Sequence, residues 1–159
     1  MDLREAPPRS VHDLYLGIVM LGRTFDKARA RAGQTEGGYE YPCPLDRAIL
    51  AWLDIDTDEF LVVVREALRD PEHESERVEG YLRSFVMRKS ADEIVEFNYR
   101  WVTYVPAEGS DSARRFHELR DRIAPERTDI VNWSDLIDIE EGRAVPIGGR
   151  ARMYRQVAV

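Results

Sequence analysis

Apolar residues recur at spacings of three and four along almost the whole of this 159-residue chain, and this pattern limits its fold more than any other feature. Such spacing places apolar side chains on one face of a helix, whereas the alternation typical of half-buried strands is nearly absent. Because each helical face must be covered by another, the sequence predicts an all-α protein, a compact irregular bundle of about seven short helices with an extended C-terminal tail. We expect one domain over residues 1–149 and a tail extension over residues 150–159.

Capping residues and helix stops predict where these helices begin and end. Ser10 is expected to cap a first helix that ends at Gly33. Pro44 suits the first position of the second helix, and Thr57 is expected to cap the third. The segment FLVVV at 60–64 has a strand-like composition, but its acidic start and the REALRD that follows favour helix. Further helices are predicted around 78–85, from Ser90 to Pro106, over 113–123 and from Thr128 or Asp129 onward.

The composition argues against secretion and membrane insertion. Cys43 is the only cysteine, so an intramolecular disulfide is impossible and a secreted disulfide scaffold is excluded. Residues 1–10 lack the apolar core of a signal peptide, and no stretch approaches the roughly 18 apolar residues that span a bilayer. We therefore expect a cytoplasmic protein.

The charge balance restricts the partners. A net charge of −7 and a pI of about 5.1 suit neither nucleic acid nor an anionic membrane as a partner, although residues 142–159 carry four arginines and no acidic residue. His12, His73 and His117 are scattered, and no nucleotide-binding or hydrolase motif occurs, so no metal and no cofactor is predicted. The remaining partners are a small anionic molecule or another protein, and the oligomeric state is left open.

Arg29 is a charged residue on an otherwise apolar stripe of the first predicted helix. Such an arginine either forms a structural ion pair, with Asp26 or Asp46 as its candidate partner, or faces a ligand. Arg23 and Lys27 lie one turn apart on a different face of the same helix. The default expectation for that pair is exposure to solvent.

Cys43 offers the clearest argument for chemistry. It directly precedes Pro44 at the predicted start of a helix, where unsatisfied N–H groups and the positive end of the helix dipole favour a thiolate. Basic side chains at the end of the first helix would favour the thiolate further if the loop folds back. A thiolate is a nucleophile or a redox sensor. The alternative is a small, partly apolar structural residue, since no histidine lies nearby in sequence to act as a base.

Several segments of the chain together resemble a known family. They are PPRS at 7–10, LGRTFDKARA at 21–30, GGYEYPCPLDRAIL at 37–50, IDTDEF at 55–60 and APERTDIVNWSDLIDIEEGR at 124–143. In order and spacing they are similar to a family of short bacterial proteins, the domain-of-unknown-function family 5069, from Pro7 to about Gly149. The resemblance implies a small bacterial cytoplasmic protein and brings no established activity.

Carried onto this chain, the family pattern falls on two groups of residues. On the first helix it covers Arg23, Asp26, Lys27 and Arg29. In the loop and the helix start that follow, it covers Tyr39, Tyr41, Cys43, Pro44, Leu45 and Asp46. Pro42 departs from the pattern, which has an asparagine just before the cysteine, and it removes one N–H that the loop would otherwise present to a ligand.

Three hypotheses follow for the segment 23–46, and the biochemical role is otherwise unknown. The first is binding of a small anionic ligand, because basic side chains and helix N–H groups attract an anion and two tyrosines supply flat walls with hydroxyl groups. The second is a thiol-dependent enzyme with Cys43 as nucleophile and Asp26 or Asp46 orienting groups. The third is an interaction module for a protein partner, in which these residues only fix a loop. Whether the chain is an enzyme is left open.

Overall fold

The computed structural model describes residues 1–150, and within this range it confirms the all-α prediction with seven helices and no sheet. Two compact units are present, Met1–Ile94 and a second that begins at Val95; the prediction of one domain over residues 1–149 stays a prediction. Almost all of the extended tail that the sequence predicts lies outside the described residues. The helices are α1 (Leu21–Gly33), α2 (Pro44–Trp52), α3 (Thr57–Ala67), α4 (Glu74–Val86), α5 (Ala91–Thr103), α6 (Asp111–Ile123) and α7 (Trp133–Glu140).

The first unit is built around α3, which packs against α1 and α4, while α2 contacts both α1 and α3. The segment FLVVV is helical, as predicted. Phe60 and Val64 lie one turn apart and are completely buried, whereas Val62 points away from that face and is half exposed. The strand-like composition of this segment is therefore overridden by the need to bury one helical stripe.

The predicted start of the first helix is wrong, because α1 begins at Leu21 and not after Ser10. Tyr15 and Ile18 instead exchange two backbone hydrogen bonds of 3.0 and 3.1 Å across a tight turn. The central residues of this turn, Leu16 and Gly17, have positive φ angles of 53° and 81°. Two such residues suit a hairpin turn and cannot continue a right-handed helix. The apolar residues before Leu21 are thus spaced like a helix without forming one.

Two predicted helix caps also differ from those observed. Asp56 caps α3 by accepting the backbone N–H groups of the second and third residues of the helix, each at 2.9 Å, so that Thr57 is the first helical residue. Asn132 caps α7, and neither Thr128 nor Asp129 opens it. The carboxylate of Asp129 instead accepts hydrogen bonds from the Arg127 guanidinium and from the backbone N–H of Gly148. Each true cap lies within four residues of the predicted one.

The second unit has its own hydrophobic core, between α6, α7 and the chain that follows α7. Phe116, Ile130, Leu136 and Val145 are buried together there. Val145 belongs to residues 144–150, here termed the C-terminal strap. The guanidinium of Arg127 donates to the carbonyl of Val145 at 3.1 Å, so the strap is held by polar contacts as well as by burial.

Buried carboxylates of α7 hold the far end of the strap. The backbone N–H of Arg150 donates to Asp135 at 3.0 Å, and the Arg150 guanidinium lies 3.1 Å from Asp138. Both carboxylates are fully buried. Gly149 passes so close to Asp135 that a Cβ there would collide with the carboxylate, and its φ of 75° also favours glycine. The strap is therefore an integral part of the second unit.

Among residues 1–150, no helix combines the length and the apolar character that crossing a bilayer requires.

Candidate functional site

The site predicted from the sequence centres on α1, and three of its charged side chains are buried. Arg23, Asp26 and Lys27 retain only 4–6% of their exposure, so the expectation that Arg23 and Lys27 face solvent is wrong. The segment before α1 forms hydrogen bonds with Arg23 and Asp26. The loop before α2 contacts Arg23 through an aromatic ring and accepts a hydrogen bond from Lys27. The polar face of α1 is therefore covered by two other segments of the same chain.

Lys27 links α1 to the start of α2. Its ammonium lies 2.6 Å from the carboxylate of Asp46, 3.0 Å from the carbonyl of Glu40 and 3.1 Å from the sulfur of Cys43. Asp46 is fully buried and also accepts the hydroxyl of Thr24 at 3.0 Å and the N–H of Cys43 at 3.0 Å. The predicted meeting of Lys27, Cys43 and Asp46 is therefore observed, with Cys43 half-buried at the N-cap of α2.

Arg9 is a member of this region that the sequence reasoning did not select. Its guanidinium forms a bidentate contact of 2.9 and 2.8 Å with Asp26 and lies 4.6 Å from the centre of the Tyr15 ring. It also lies 3.0 Å from where a Cβ would stand on Gly22. A side chain at position 22 would crowd this guanidinium, so the glycine leaves room for Arg9 beside α1.

Arg23 lies on α1 one helical turn before Lys27. Its guanidinium donates to the backbone carbonyl of Arg9 at 3.3 Å and lies 5.6 Å from the centre of the Tyr39 ring. The ring of Tyr39 is half-buried. The arrangement brings a guanidinium and an aromatic face together beneath the loop, as the first hypothesis requires.

Two predicted site residues lie elsewhere. Tyr41 is buried, and its hydroxyl donates to the carbonyl of Thr57 at 3.1 Å; burial raises the pKa of this phenol above its usual range. Arg29 pairs with Glu74 of α4 at 2.5 Å, so the expected partners Asp26 and Asp46 are wrong. Arg29 follows Lys27 by two residues, or about 200° around the helix, which places it on the opposite side of α1.

The model of the family "Domain of unknown function (DUF5069)" matches residues 5–143. The chain belongs to this family. No curated protein matches it. The part matched to DUF5069 contains Arg9, α1, the loop and α2, and it ends just before the C-terminal strap.

The buried and half-buried polar residues described above are here termed the polar cluster: Arg9, Arg23, Asp26, Lys27, Tyr39, Cys43 and Asp46. It contains three basic and two acidic side chains. No group of three or more His, Cys, Asp or Glu side chains in residues 1–150 is arranged to hold a metal ion. In this DUF5069 protein the arrangement can stabilise an anion, position a planar group against Tyr39, or hold a thiol beside an ammonium.

Proposed function

We propose that the polar cluster binds a small anionic molecule, one that carries a carboxylate or a phosphate group. The observation that carries this proposal is the placement of Arg23 beneath Tyr39, one helical turn from Lys27. Arg23 is 6% exposed and Lys27 is 4% exposed. Both cations are thus fixed in place before any ligand arrives, which lowers the entropic cost of binding.

The three basic side chains of the cluster support an anion over a cation as the ligand. Arg9 also holds the carboxylate of Asp26, and Lys27 also holds that of Asp46. Cations held in a poorly hydrated region interact more strongly with an anion than they would in water. Cys43 is the N-cap of α2, so the positive end of this helix dipole lies in the same region.

Tyr39 and Cys43 mark the approach, because they lie in the loop and at the helix cap that cover Arg23 and Lys27 and are themselves only half-buried. A ligand that enters beside them would place its anionic group toward Arg23 and its remaining atoms against the Tyr39 ring. Tyr41 cannot serve as a second wall, because it is buried against the start of α3. The proposal therefore uses one tyrosine and not the pair that the sequence suggested.

Replacing Arg23 by glutamine tests this proposal. Thermal unfolding of the natural chain is measured with inorganic phosphate and with succinate, against sodium chloride at the same ionic strength. We expect one of these anions to stabilise the natural chain, by about 2.7 kcal/mol at a hundred times its Kd. The stabilisation should be lost in Arg23→Gln, because the guanidinium that receives the anion is gone.

Arg31→Gln is the matched control. Arg31 lies on the same helix, but its side chain is 55% exposed and pairs with Glu36, so its loss should leave the anion response intact. Tyr39→Ala should weaken the response without removing it, because the ring supplies a wall and not a charge. Equal stabilisation of the natural chain and Arg23→Gln, or no stabilisation of the natural chain by either anion beyond that of sodium chloride, would refute the proposal.

A second candidate function is supported by the 3.1 Å contact between the Lys27 ammonium and the Cys43 sulfur. The contact places a hydrogen-bond donor on the sulfur, and Cys43 stands at the N-cap of α2, a position where proteins place reactive thiols. Cys43 also stays half-exposed, as a reacting thiol must. In this alternative the chain is a thiol-dependent enzyme and Cys43 is its nucleophile.

The alkylation rate of Cys43 tests this alternative directly, because the chain has no other cysteine. Iodoacetamide at pH 7 should label the native chain roughly tenfold faster than the same chain unfolded in urea. The double variant Lys27→Met with Asp46→Asn removes the ammonium without leaving a buried carboxylate, and it should label more slowly than the natural chain. Native labelling slower than that of the unfolded chain would eliminate the nucleophile.

A further inference from the structure

Helix α5 buries less of itself than any other helix in residues 1–150. Val102 is its only fully covered residue, whereas α1 has nine. Within the second unit, α6 and α7 cover little of it, although the Ser134 hydroxyl of α7 donates to the backbone carbonyl of Trp101 at 3.5 Å. Val95 and Tyr99 remain 67% and 38% exposed. These two residues are one turn apart, so their side chains share one stripe of the helix.

A charged flank runs beside this stripe. Glu96 and Arg100 are also one turn apart, and their side chains lie 3.4 Å from each other with 65% and 77% exposure. An ion pair this exposed contributes little to the stability of a single chain. The surface formed by Val95, Glu96, Tyr99 and Arg100 is here termed the α5 face.

We propose that the α5 face binds a second copy of this chain, with the two α5 helices antiparallel. When a twofold axis relates two antiparallel helices, the charged flanks of both copies lie on the same side of the pair and run in opposite directions. Glu96 of each copy then faces Arg100 of the other, and Val95 of each copy faces Tyr99 of the other. The face is therefore complementary to itself in both charge and apolar character.

Parallel pairing lacks this complementarity. A twofold axis along two parallel helices places the two charged flanks on opposite sides of the pair, so neither Glu96 nor Arg100 would meet an opposite charge across the contact. A partner of uniform charge would be repelled by one end of the flank. The small size of a single-helix contact indicates a weak, reversible dimer, with a Kd on the order of micromolar.

Sedimentation equilibrium of the full chain from about 1 to 300 µM covers that range of Kd. We expect the natural chain to pass from monomer to dimer. Val95→Asp should abolish the dimer, because it places a carboxylate against an apolar surface. Glu96→Arg and Arg100→Glu should each weaken the dimer roughly tenfold or more, because each creates like-charge contacts across the twofold axis.

The double variant with Glu96→Arg and Arg100→Glu should restore the dimer to within about threefold of the natural Kd, since the exchange leaves opposite charges facing each other. Glu118→Arg is the control, because it changes the charge by the same amount at an exposed position on α6 and should leave the dimer unchanged. Circular dichroism of every variant checks that the helices persist. A monomer at all concentrations, a dimer that survives Val95→Asp, or a double variant that stays as weak as the single ones overturns the proposal.

Discussion

Asp46→Asn is expected to lower the free energy of unfolding by about 3–5 kcal/mol. The substitution preserves the shape of the side chain but leaves the Lys27 ammonium, which is 4% exposed, without its carboxylate 2.6 Å away. The amide also cannot accept all three donors that now converge on the carboxylate, from Thr24, Lys27 and Cys43. Urea unfolding followed by circular dichroism measures the change.

Two further variants separate the buried pair from ordinary surface charge. Glu36→Gln removes an acid whose partner, Arg31, is 55% exposed, and it should change stability by less than about 1 kcal/mol. Lys27→Met combined with Asp46→Leu replaces the pair by apolar groups and should recover much of the loss. A cost below about 1 kcal/mol for Asp46→Asn would show that the buried pair is not a stabilising contact.

Asp135→Ala is expected to cost about 3 kcal/mol, because it leaves buried donors without their acceptor. The carboxylate of Asp135 accepts the side-chain amide of Asn132 at 2.7 Å and the backbone N–H of Arg150 at 3.0 Å. One substitution therefore weakens both the cap of α7 and the attachment of the C-terminal strap. Thermal unfolding of the full chain, followed by circular dichroism, gives the loss.

The control for this prediction is Asp121→Ala. Asp121 also contacts an arginine, but it is 62% exposed, and its removal should stay within about 0.5 kcal/mol of neutral. Hydrogen exchange locates the effect, because the Arg150 amide should exchange faster in Asp135→Ala and unchanged in Asp121→Ala. An Asp135→Ala chain as stable as the natural one would contradict the role assigned to this carboxylate in holding the strap.

The helical class could be predicted from the sequence, because it depends on periodicity that each element carries within itself. Pro44 does start α2, and the acidic residues after Asp56 do begin α3 and not a strand. The wrongly predicted start of the first helix has the same origin, because it too depended on apolar spacing. Residues 11–18 have helical spacing by coincidence, and the positive φ angles of Leu16, Gly17 and Met20 break the helix. Glycine commonly adopts a positive φ angle, so Gly17 could have indicated a turn, whereas nothing about a leucine at position 16 indicates one.

The contacts of the polar cluster were only partly predictable. Lys27, Cys43 and Asp46 could be grouped because they flank one short loop. The partners of Arg29 and Asp26 could not be assigned, because Glu74 lies 45 residues away from Arg29 and Arg9 lies 17 residues away from Asp26. Charge alone does not choose among distant acids and bases; that choice is made by how the helices pack.

The buried pair of Lys27 and Asp46 also restricts how this sequence can diverge. Loss of either residue alone leaves the other charge buried without a partner. Any sequence of single substitutions that changes both positions therefore includes a destabilised intermediate sequence. The exposed pair of Arg31 and Glu36 imposes no such barrier. As the chain accumulates substitutions, positions 27 and 46 should therefore change together or stay as they are, while positions 31 and 36 drift independently.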